Sequence, residues 1–582
     1  MEKNIEKIRH SLAHIMASAV LEFWPKVKLG IGPAIDNGFY YDMALPTKAL
    51  GEGGNEEFLQ KIENRMKELI KENQKFIGKK VSKIIAKKLF KNQPYKLEII
   101  KDLPGKIVGT YRNGNFIDLC KGGHVNNTSE IDFNAFKLTK IAGAYWKGNE
   151  KNKMLTRVYG VAFGEEKELI DYLKMQEEAE KRDHRVLGQK LDLFIFSDLL
   201  GKGLPLFTSK GTLLRDLLND YSQELRRKKG WQKVWSPHIT KNDLYKTSGH
   251  WEKFGNELFL VESQETNNEL VLKPMNCPHH QQIYASRIRS YKDLPIKYME
   301  TTTVYRDEKA GELLGLSRVR SITQDDSHTF CTPDQIEKIY QELIEVTKEF
   351  YEKIGMKIRA RLSFRGKTDV KKYLGEPKLW KQAEEILLKI AKQNNLDYFV
   401  AENEAAFYGP KIDFMVTDAL KREWQLATPQ LDFVQPKRFN LTYTDKEGKE
   451  QTPVMIHFAL MGSIERFLSV YIEHTAGAFP LWLSPVQIAV IPISEKHSEY
   501  ADNIKKELEK NDIRVELKNE NETLGKKIRE AEIQKIPYLL ILGDKEIQNQ
   551  SVSVRQRGKG DTGAIALDKF IEKIREEIIR KI

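Results

Sequence analysis

Cysteine is scarce in this chain of 582 residues, which contains Cys120, Cys277 and Cys331 and no CxxC pair. This scarcity excludes a disulfide scaffold and a compact zinc finger, and it fits a reducing compartment. The chain also lacks a run of about 18 apolar residues, so we expect no membrane span. Its first residues carry charges of both signs, and His10 and His14 interrupt the apolar stretch, which is not typical of a secretory signal. We therefore expect a soluble, cytoplasmic protein.

The balance of charge is basic. Lys and Arg number 95 against 83 for Asp and Glu, which gives a formal net charge of +12. A surplus of this size attracts polyanions, so nucleic acids and phosphate-rich ligands are the first partners to consider. The length predicts about four domains, and the content of 40% hydrophobic residues is sufficient for several cores.

Hydrophobic periodicity divides the chain. Apolar residues at helical spacing predict a helix over 5–24, which places His10 and His14 on one face. The Asn37-Gly38 pair predicts a strand pair over 30–42, and a charged amphipathic helix follows over 56–76. Residues 165–189 read as a helical connector. From there to 484 the pattern lacks a regular βα alternation, which favours a mixed or antiparallel sheet.

The tail changes character at Pro485, where apolar strands begin to alternate with amphipathic helices. This alternation predicts a separate α/β domain of about 100 residues. Its predicted strands are 486–493, 513–517, 538–543 and 552–556, and its predicted helices are 496–510, 523–534 and 568–581.

The central region carries the densest chemical signals. Residues 304–331 place Arg306, Arg318 and Arg320 among acids and glycines in a predicted strand–loop–strand. Guanidinium groups suit phosphates and carboxylates, although a salt-bridged surface hairpin has the same composition. Arg466 lies on a predicted helix just after Gly462, where backbone donors favour an anion, although an ordinary helix start looks alike.

Together these segments resemble the signature motifs of class II aminoacyl-tRNA synthetases. Arg306-x-Glu308 is similar to motif 2, the helix of Arg466 to motif 3, and helix 211–229 with Pro237 to the dimer-forming motif 1. The full set of strings resembles the threonyl-tRNA synthetase family, from His10 to the C-terminus: KPMNCP (273–278), QDDSH (324–328), AFYGPKIDF (406–414) and VMIHFALMGSIERF (454–467).

The resemblance implies roles for the residues of the central region. Arg306 contacts the α-phosphate of the adenylate, Glu308 contacts the adenine amine, and Arg318 and Arg466 hold a bent ATP with its Mg²⁺. Ile322 stands where the family pattern has an aromatic residue that stacks on adenine. The residues implied for threonine binding are Gln324, Asp326, Tyr408, Lys411 and Gln425.

A catalytic-domain zinc ion is implied at Cys277, His328 and His457. Three such ligands leave a tetrahedral zinc one open position. Their separations of 51 and 129 residues form no local motif, so the residues alone favour a buried thiol and two hydrogen-bonded histidines, and the resemblance reverses that preference.

The resemblance also implies a second, hydrolytic site. HSLAH (10–14) and CKGGH (120–124) supply residues for either a tetrahedral zinc site or a hydrolytic pocket, and the missing Glu of HExxH argues against a zincin protease. Both motifs, with GFYYD (38–42) and AGAYW (142–146), resemble the bacterial editing domain, where water hydrolyses seryl-tRNA without an essential metal. The implied editing residues are His10, His14, Tyr41, Lys96, Asp118, Cys120 and His124.

The tail resembles the class IIa anticodon-binding fold. Asn521, Glu546 and Arg555 are its implied base readers, although a solvated charged rim has the same composition. A ubiquitin-like N-terminal domain that longer relatives possess is not expected here.

The sequence therefore predicts a multidomain α+β and α/β protein, a homodimer that binds tRNA(Thr), ATP and L-threonine. The predicted parts are an α+β editing domain (1–164), a helical linker (165–190), a class II catalytic domain with an antiparallel sheet (191–484) and an α/β anticodon-binding domain (485–582). Two alternatives remain: a non-catalytic, synthetase-like RNA-binding protein, and a synthetase for proline or histidine.

Overall fold

The computed structural model describes residues 2–46, 54–265, 267–366 and 372–581. The chain forms two compact units, residues 1–177 and 178–582. Within the described ranges, every helix is too short or too polar to cross a membrane.

The first unit is built around one buried helix. One face of helix α1 packs into a core that also contains Phe39 from the adjacent sheet. The helix residues in this core include Leu12, Ile15, Met16 and Val20. The predicted turn at Asn37-Gly38 is confirmed, with Asn37 at a φ of 60°. The elements are α1 Glu2–Phe23, β1 Lys28–Leu29, β2 Ala34–Ile35, β3 Gly38–Ala44, α2 Gly54–Lys71, β4 Phe76–Ser82, α3 Lys83–Leu89, α4 Pro94–Asp102, β5 Ile107–Asn113, β6 Phe116–Leu119, β7 Phe136–Tyr145 and β8 Met154–Ala162.

Two antiparallel sheets position the side chains of this unit. Strands β1, β3, β8 and β7 lie side by side, with β2 against β3, and β4, β5 and β6 form the second sheet. Helix α2 ends at Lys71, before the predicted end at 76, because Asn73 adopts a φ of 56° and Phe76 begins β4. The small sheet therefore starts inside the segment predicted to be helical.

The predicted connector is helical but interrupted. It consists of α5 Glu166–Arg182 and α6 His184–Lys190. Asp183 separates them because its carboxylate caps α6 and accepts a hydrogen bond from the backbone N–H of Arg185 at 2.8 Å. The sequence of this segment is charged and helical in pattern, so it did not indicate that Asp183 would interrupt the helix.

A large mixed sheet dominates the second unit, as predicted. Its neighbouring strands run in the order β11, β15, β16, β24, β21, β19, β17, β18, and antiparallel pairs predominate. The strands of this region are β9 Phe194–Ile195, β10 Leu206–Phe207, β11 Gln232–Lys233, β12 Ile239–Lys241, β13 Leu260–Val261, β14 Leu270–Leu272, β15 Ile296–Tyr305, β16 Ser321–Cys331, β17 Lys357–Phe364, β18 Tyr398–Glu402, β19 Lys411–Thr417, β20 Glu423–Gln425, β21 Thr428–Asp432, β22 Tyr443–Thr444, β23 Glu450–Gln451 and β24 Val454–Ser463.

Helices pack against this sheet through a continuous apolar core. Leu218, Leu343 and Phe467 from three helices meet Leu362 and Ile456 from the strands. The helices are α7 Ser209–Lys228, α8 Asp243–Ser248, α9 His250–Phe254, α10 Cys277–Ala285, α11 Ile336–Lys353, α12 Pro377–Gln393, α13 Gln435–Arg438 and α14 Ile464–Thr475. Helices α7 and α14 correspond to the predicted helices at 211–229 and around Arg466.

The C-terminal region confirms the predicted α/β alternation. Its sheet has the order β26, β25, β27, β28, β29, in which β25 is parallel to β26 and β27. Short elements α17 and β29 were not predicted. The elements are β25 Ile488–Pro492, α15 Ser498–Glu509, β26 Val515–Leu517, α16 Leu524–Ile533, β27 Tyr538–Leu542, α17 Asp544–Asn549, β28 Ser551–Gln556, β29 Gly560–Ala566 and α18 Leu567–Ile579.

Candidate functional site

A pocket of about 600 Å³ opens over the large sheet, and the predicted arginines surround it. Arg306 follows β15, and its buried Nε has no hydrogen-bond partner. Its Nη2 lies 3.1 Å from the Met275 sulfur, and burial lowers its pKa. A buried cation with an unused N–H is the kind of group that binds an anion entering the pocket.

Two further arginines line the same pocket from different elements. Arg318, in the loop between β15 and β16, donates to Glu308 Oε2 from Nε at 2.8 Å and lies 2.6 Å from Glu312. Arg466 belongs to the first turn of α14, where Ser463 accepts a hydrogen bond from its backbone N–H at 3.3 Å. The pocket therefore contains several guanidinium groups and a helix N-terminus, an arrangement suited to phosphates.

Three candidate metal-ligand side chains converge at this pocket, which His328 and His457 line and beside which Cys277 is fully buried. Cys277 begins α10, and His328 of β16 pairs directly in register with His457 of β24. One ligand atom from each of these buried residues lies within 4.8 Å of the others. Strand pairing thus brings together residues that are far apart in the sequence.

Carboxylates behind the two histidines fix their orientation. His457 Nε2 donates to Asp432 Oδ2 at 2.9 Å, and its buried Nδ1 has no partner. His328 Nδ1 lies 2.8 Å from His280 Nδ1, and His280 Nε2 is 3.1 Å from Glu300. This second layer of carboxylate–histidine contacts is typical of metal sites, so the residues present fit a zinc ion.

The protonation state of this cluster also fits a metal. Burial, with the nearby His280 and His457, holds the pKa of His328 well below its usual value, so the imidazole is neutral and has a lone pair. Burial raises the pKa of the Cys277 thiol well above its usual value. A divalent cation would compensate for the cost of the buried thiolate.

A second pocket, of about 920 Å³, lies in the first unit. His10 and His14 are one turn apart on α1, with ring centroids separated by 5.1 Å. Cys120 Sγ lies 3.5 Å from His10 Nε2 and 3.2 Å from His124 Nε2. The helix and the loop after β6 therefore bring the two predicted motifs, HxxxH and CxxxH, into one cluster.

A buried ion pair borders this cluster. Lys96 Nζ lies 2.5 Å from Asp118 Oδ1 and donates to the Tyr41 hydroxyl at 2.9 Å. Tyr41 donates to Asp118 Oδ2, which is 3.7 Å from His14 Nε2. Burial and the Asp118 charge raise the pKa of Tyr41 well above its usual value, so the phenol stays protonated. The network presents one fixed ammonium and one carboxylate to the pocket.

The imidazoles and the thiol of this cluster are neutral near pH 7. Burial lowers the pKa of His10 and takes that of His124 to about 2, while it raises the pKa of Cys120 to about 11. A neutral imidazole accepts a proton from water, whereas a protonated thiol is a poor nucleophile. The arrangement therefore favours water activation over covalent catalysis by Cys120.

Three family models match this chain. The tRNA synthetase class II core domain (G, H, P, S and T) matches residues 259–475, an anticodon binding domain matches 487–577, and the threonyl and alanyl tRNA synthetase second additional domain matches 108–159. These matches confirm the domain types and the fold class predicted from the sequence.

Curated relatives extend the similarity over the whole chain. A threonine–tRNA ligase of Thermotoga petrophila is 46% identical over 578 residues, covering 99% of this chain and 88% of the relative. One of Porphyromonas gingivalis is 46% identical and covers 98% and 87%. The chain belongs to the threonine–tRNA ligase family. A solved structure titled as the RNA binding domain of threonyl-tRNA synthetase from Cryptosporidium parvum is 37% identical, with a TM-score of 0.64 over 68% of this chain and 98% of that chain.

The residues predicted to bind threonine differ in their access to the central pocket of this threonine–tRNA ligase family member. Gln324, Asp326, Tyr408 and Gln425 line it. Gln324 Oε1 is buried without a partner, and burial raises the pKa of Asp326. Lys411 instead pairs with Asp413 at 2.6 Å, and Asp413 Oδ1 accepts from Gln425 at 2.8 Å. Lys411 is therefore not among the residues that line the pocket, and Asp413 connects it to Gln425.

The three predicted anticodon readers occupy different parts of the C-terminal sheet. Asn521 and Glu546 follow β26 and β27, two parallel strands whose carboxyl ends share one edge. Arg555 of β28 pairs with Leu539, near the amino end of β27. The buried Nε of Arg555 has no partner.

Sequence reasoning missed the residues behind the metal cluster. His280, Glu300 and Asp432 reach it only through tertiary structure, and of these only His280 lies near a predicted ligand in sequence. Also missed was His250, whose Nε2 is 3.8 Å from Cys277 Sγ and whose pKa burial lowers to about 3.

Proposed function

We propose that the chain is a threonine–tRNA ligase, which activates L-threonine with ATP and transfers it to the 3′ end of tRNA(Thr). The observation that carries the proposal is the convergence of Cys277, His328 and His457 at a pocket that both histidines line together with Arg306 and Arg466. An amino acid coordinated at this cluster would present its carboxylate toward phosphates bound by the arginines. This juxtaposition suits formation of an acyl-adenylate.

In the first step the chain's own residues orient two substrates. Arg306 binds the α-phosphate and compensates for the charge that develops on it. Arg318 leaves its ion pair with Glu308 and binds the phosphates of ATP. Glu308 can then accept a hydrogen bond from the adenine amine. Arg466 lies at a helix N-terminus and holds the remaining phosphates with Mg²⁺, the ion that accompanies ATP in such sites. Asp326 and Gln324 orient the amino group of threonine.

The metal cluster supplies selectivity. A zinc ion held by Cys277, His328 and His457 would offer an open position to a substrate with a hydroxyl group as well as an amine. Valine lacks that hydroxyl, so a site built around it discriminates strongly. Serine retains it, and one missing methyl is worth only about 1–3 kcal/mol. Serine is therefore activated and must be removed later.

The N-terminal pocket is proposed to perform this removal by hydrolysis of seryl-tRNA(Thr). The neutral imidazole of His10 accepts a proton from the attacking water, and Lys96 with Asp118 positions the ester. His14 and Cys120 also line the pocket, while Tyr41 and His124 contact the lining residues Asp118 and Cys120. What supports hydrolysis over covalent catalysis is that burial raises the pKa of Cys120 to about 11 and lowers that of His124 to about 2, which favours a protonated thiol beside a neutral imidazole near pH 7.

We further propose the division into an editing domain (1–164), a linker (165–190), a catalytic domain (191–484) and an anticodon-binding domain (485–582). Helix α7 and Pro237 are proposed to contribute to a homodimer interface. Asn521, Glu546 and Arg555 are proposed to contact tRNA. All three cysteines are free thiols, which supports a reducing compartment such as the cytoplasm.

A pair of variants with opposite defects tests the two sites. Cys277→Ser should lose bound zinc and threonine-dependent ATP–pyrophosphate exchange, but still deacylate preformed seryl-tRNA(Thr). His10→Ala should keep zinc and exchange, but lose deacylation. Full exchange by a Cys277→Ser protein verified to be free of zinc would contradict the zinc assignment. Unchanged deacylation by His10→Ala would contradict the editing assignment.

A further inference from the structure

His184, the first residue of α6, is buried and uses both ring nitrogens. Its Nε2 lies 3.1 Å from the backbone nitrogen of Leu316. A backbone N–H can only donate, so Nε2 is the acceptor and the proton of the neutral ring is on Nδ1. Nδ1 then donates to Glu473 Oε1 at 2.6 Å. The ring is therefore a bridge between two chain segments.

These two segments are the ones that carry the arginines of the ATP pocket. Leu316 is fully buried in the loop between β15 and β16, two residues before Arg318. Glu473 lies near the end of α14, two turns after Arg466. A second contact joins the same pair of elements, since Ser317 Oγ lies 2.9 Å from Ser469 Oγ.

The backbone of the loop packs closely against the ring. Gly315 has a φ of 48°, and a Cβ there would lie 2.3 Å from His184 Nε2. The other Glu473 oxygen accepts from Arg422 at 2.5 Å, and Arg182 donates to the carbonyl of His474 at 3.1 Å. These contacts hold the C-terminal end of α14 as a fixed support.

A metal site at Asp183, His184 and Glu473 is the competing interpretation of this cluster. Both nitrogens of His184 already have partners, and Arg422 takes the second oxygen of Glu473. A cation bound there would have to break these contacts and would lie beside a guanidinium. The hydrogen-bond pattern therefore favours a positioning role.

We propose that His184 is a positioning residue for ATP binding, which fixes the loop of Arg318 against the helix of Arg466. Both arginines line one pocket from different elements, so the contact between those elements sets the separation of the two guanidinium groups. His184 and the Ser317–Ser469 contact hold the elements together without using either arginine. This inference rests on the proposed use of the pocket for ATP.

Two substitutions test the two hydrogen bonds of the His184 ring separately. In His184→Gln the longer amide places an oxygen near the position of Nε2, so Leu316 keeps its acceptor. In His184→Asn the amide lies near the position of Nδ1, so the contact with Glu473 survives and the Leu316 N–H loses its partner. A buried N–H without a partner costs enough to predict a rise of at least about fivefold in the KM for ATP of His184→Asn.

The measurement is ATP–pyrophosphate exchange with threonine, with the KM for each substrate, kcat and the melting temperature. We expect His184→Asn to raise the KM for ATP and leave that for threonine unchanged, while His184→Gln stays near the wild type. His497→Asn is the matched control, since His497 is also a buried histidine before a helix, bonded to Ser494 and Asp544. It should lower stability without changing either KM.

Each outcome decides the point. If both folded His184 variants have the same KM for ATP, the positioning role is overturned. It is also overturned if both variants lose kcat and stability to the same extent without a change in the KM for ATP. If His184→Asn does not fold, Ser317→Ala removes the parallel contact with Ser469 and must raise the KM for ATP in the same direction. An absence of exchange in the wild-type protein would instead refute the proposed function.

Discussion

Replacing Asp432 with asparagine should weaken zinc binding without removing a ligand. Asp432 is fully buried at the end of β21, and its Oδ2 accepts the Nε2–H of His457 at 2.9 Å. Its Oδ1 accepts from the backbone N–H groups of Val434 and Gln435 at 2.7 and 3.0 Å. An asparagine keeps its oxygen on these backbone groups, so its NH₂ group must face Nε2.

The imidazole of His457 then faces a donor where it had an acceptor. Its favoured response is to move the proton to Nδ1, the buried nitrogen that has no partner in the structure and would bind the metal. A protonated nitrogen cannot coordinate, so zinc binding must reverse the tautomer against the new contact. Loss of such a supporting carboxylate costs about 10- to 100-fold in metal affinity, or about 1.4–2.7 kcal/mol.

The assay is competition for zinc with a chelator of known affinity, combined with zinc content per chain. Asp418→Asn is the matched control, because its Oδ1 also accepts from two backbone N–H groups and its Oδ2 from two side chains. We expect the control to lose stability and keep its zinc affinity. Equal zinc affinities for the wild type and Asp432→Asn would refute the reasoning about the second layer.

Three other outcomes are expected. Asp118→Asn leaves the buried Lys96 without its partner, so deacylation of seryl-tRNA(Thr) should fall strongly in a single-turnover assay while ATP–pyrophosphate exchange is unchanged. Gly409→Ala places a Cβ 1.7 Å from the carbonyl oxygen of Leu431, so chemical denaturation should show a loss of about 1–3 kcal/mol. Acid should destabilise the first unit, because burial lowers the pKa of His124 from 6.5 to about 2 and only the unfolded form gains a proton below pH 6.5. Thermal melts should show this loss growing as the pH falls from 6.5, and less steeply in His124→Asn.

Contradictory results are equally definite for these three. Normal deacylation by Asp118→Asn would exclude the ion pair from editing. If the free energy of unfolding is unchanged in Gly409→Ala, the backbone of β21 at Leu431 can move away from the new Cβ at little cost. Identical acid sensitivity of the wild type and His124→Asn would mean that His124 does not contribute to the loss of stability in acid.

Local patterns predicted the parts of the fold that depend on local physics. The apolar face of α1, the turn at Asn37-Gly38 and the strand–loop–strand around Arg306 all follow from periodicity and turn chemistry. Local patterns failed where one side-chain contact determines where a helix begins. Asp183 caps a new helix inside a charged segment that was predicted to be one continuous helix. They also failed at β29, whose glycines give no alternating pattern.

The candidate site also contains residues that a local motif identifies and residues that only the tertiary structure brings together. Arg306 and Glu308 are close in sequence, so a motif identifies them. His328 and His457 are 129 residues apart and meet only because β16 and β24 pair at that register. The supporting contacts of Asp432, Glu300 and His280 depend on several strands at once, and no spacing in the sequence encodes them. The resemblance supplied the ligands, and the tertiary structure supplies what orients them.

The most direct test of the account is ATP–pyrophosphate exchange by the wild-type, zinc-loaded protein with each standard amino acid in turn. The account predicts strong exchange with threonine, weaker exchange with serine and negligible exchange with valine, because a zinc ion at the proposed cluster would select for a hydroxyl group. Preference for another amino acid would contradict the assigned substrate. Exchange with none of them, from folded protein, would contradict the activity itself and favour an RNA-binding role without catalysis.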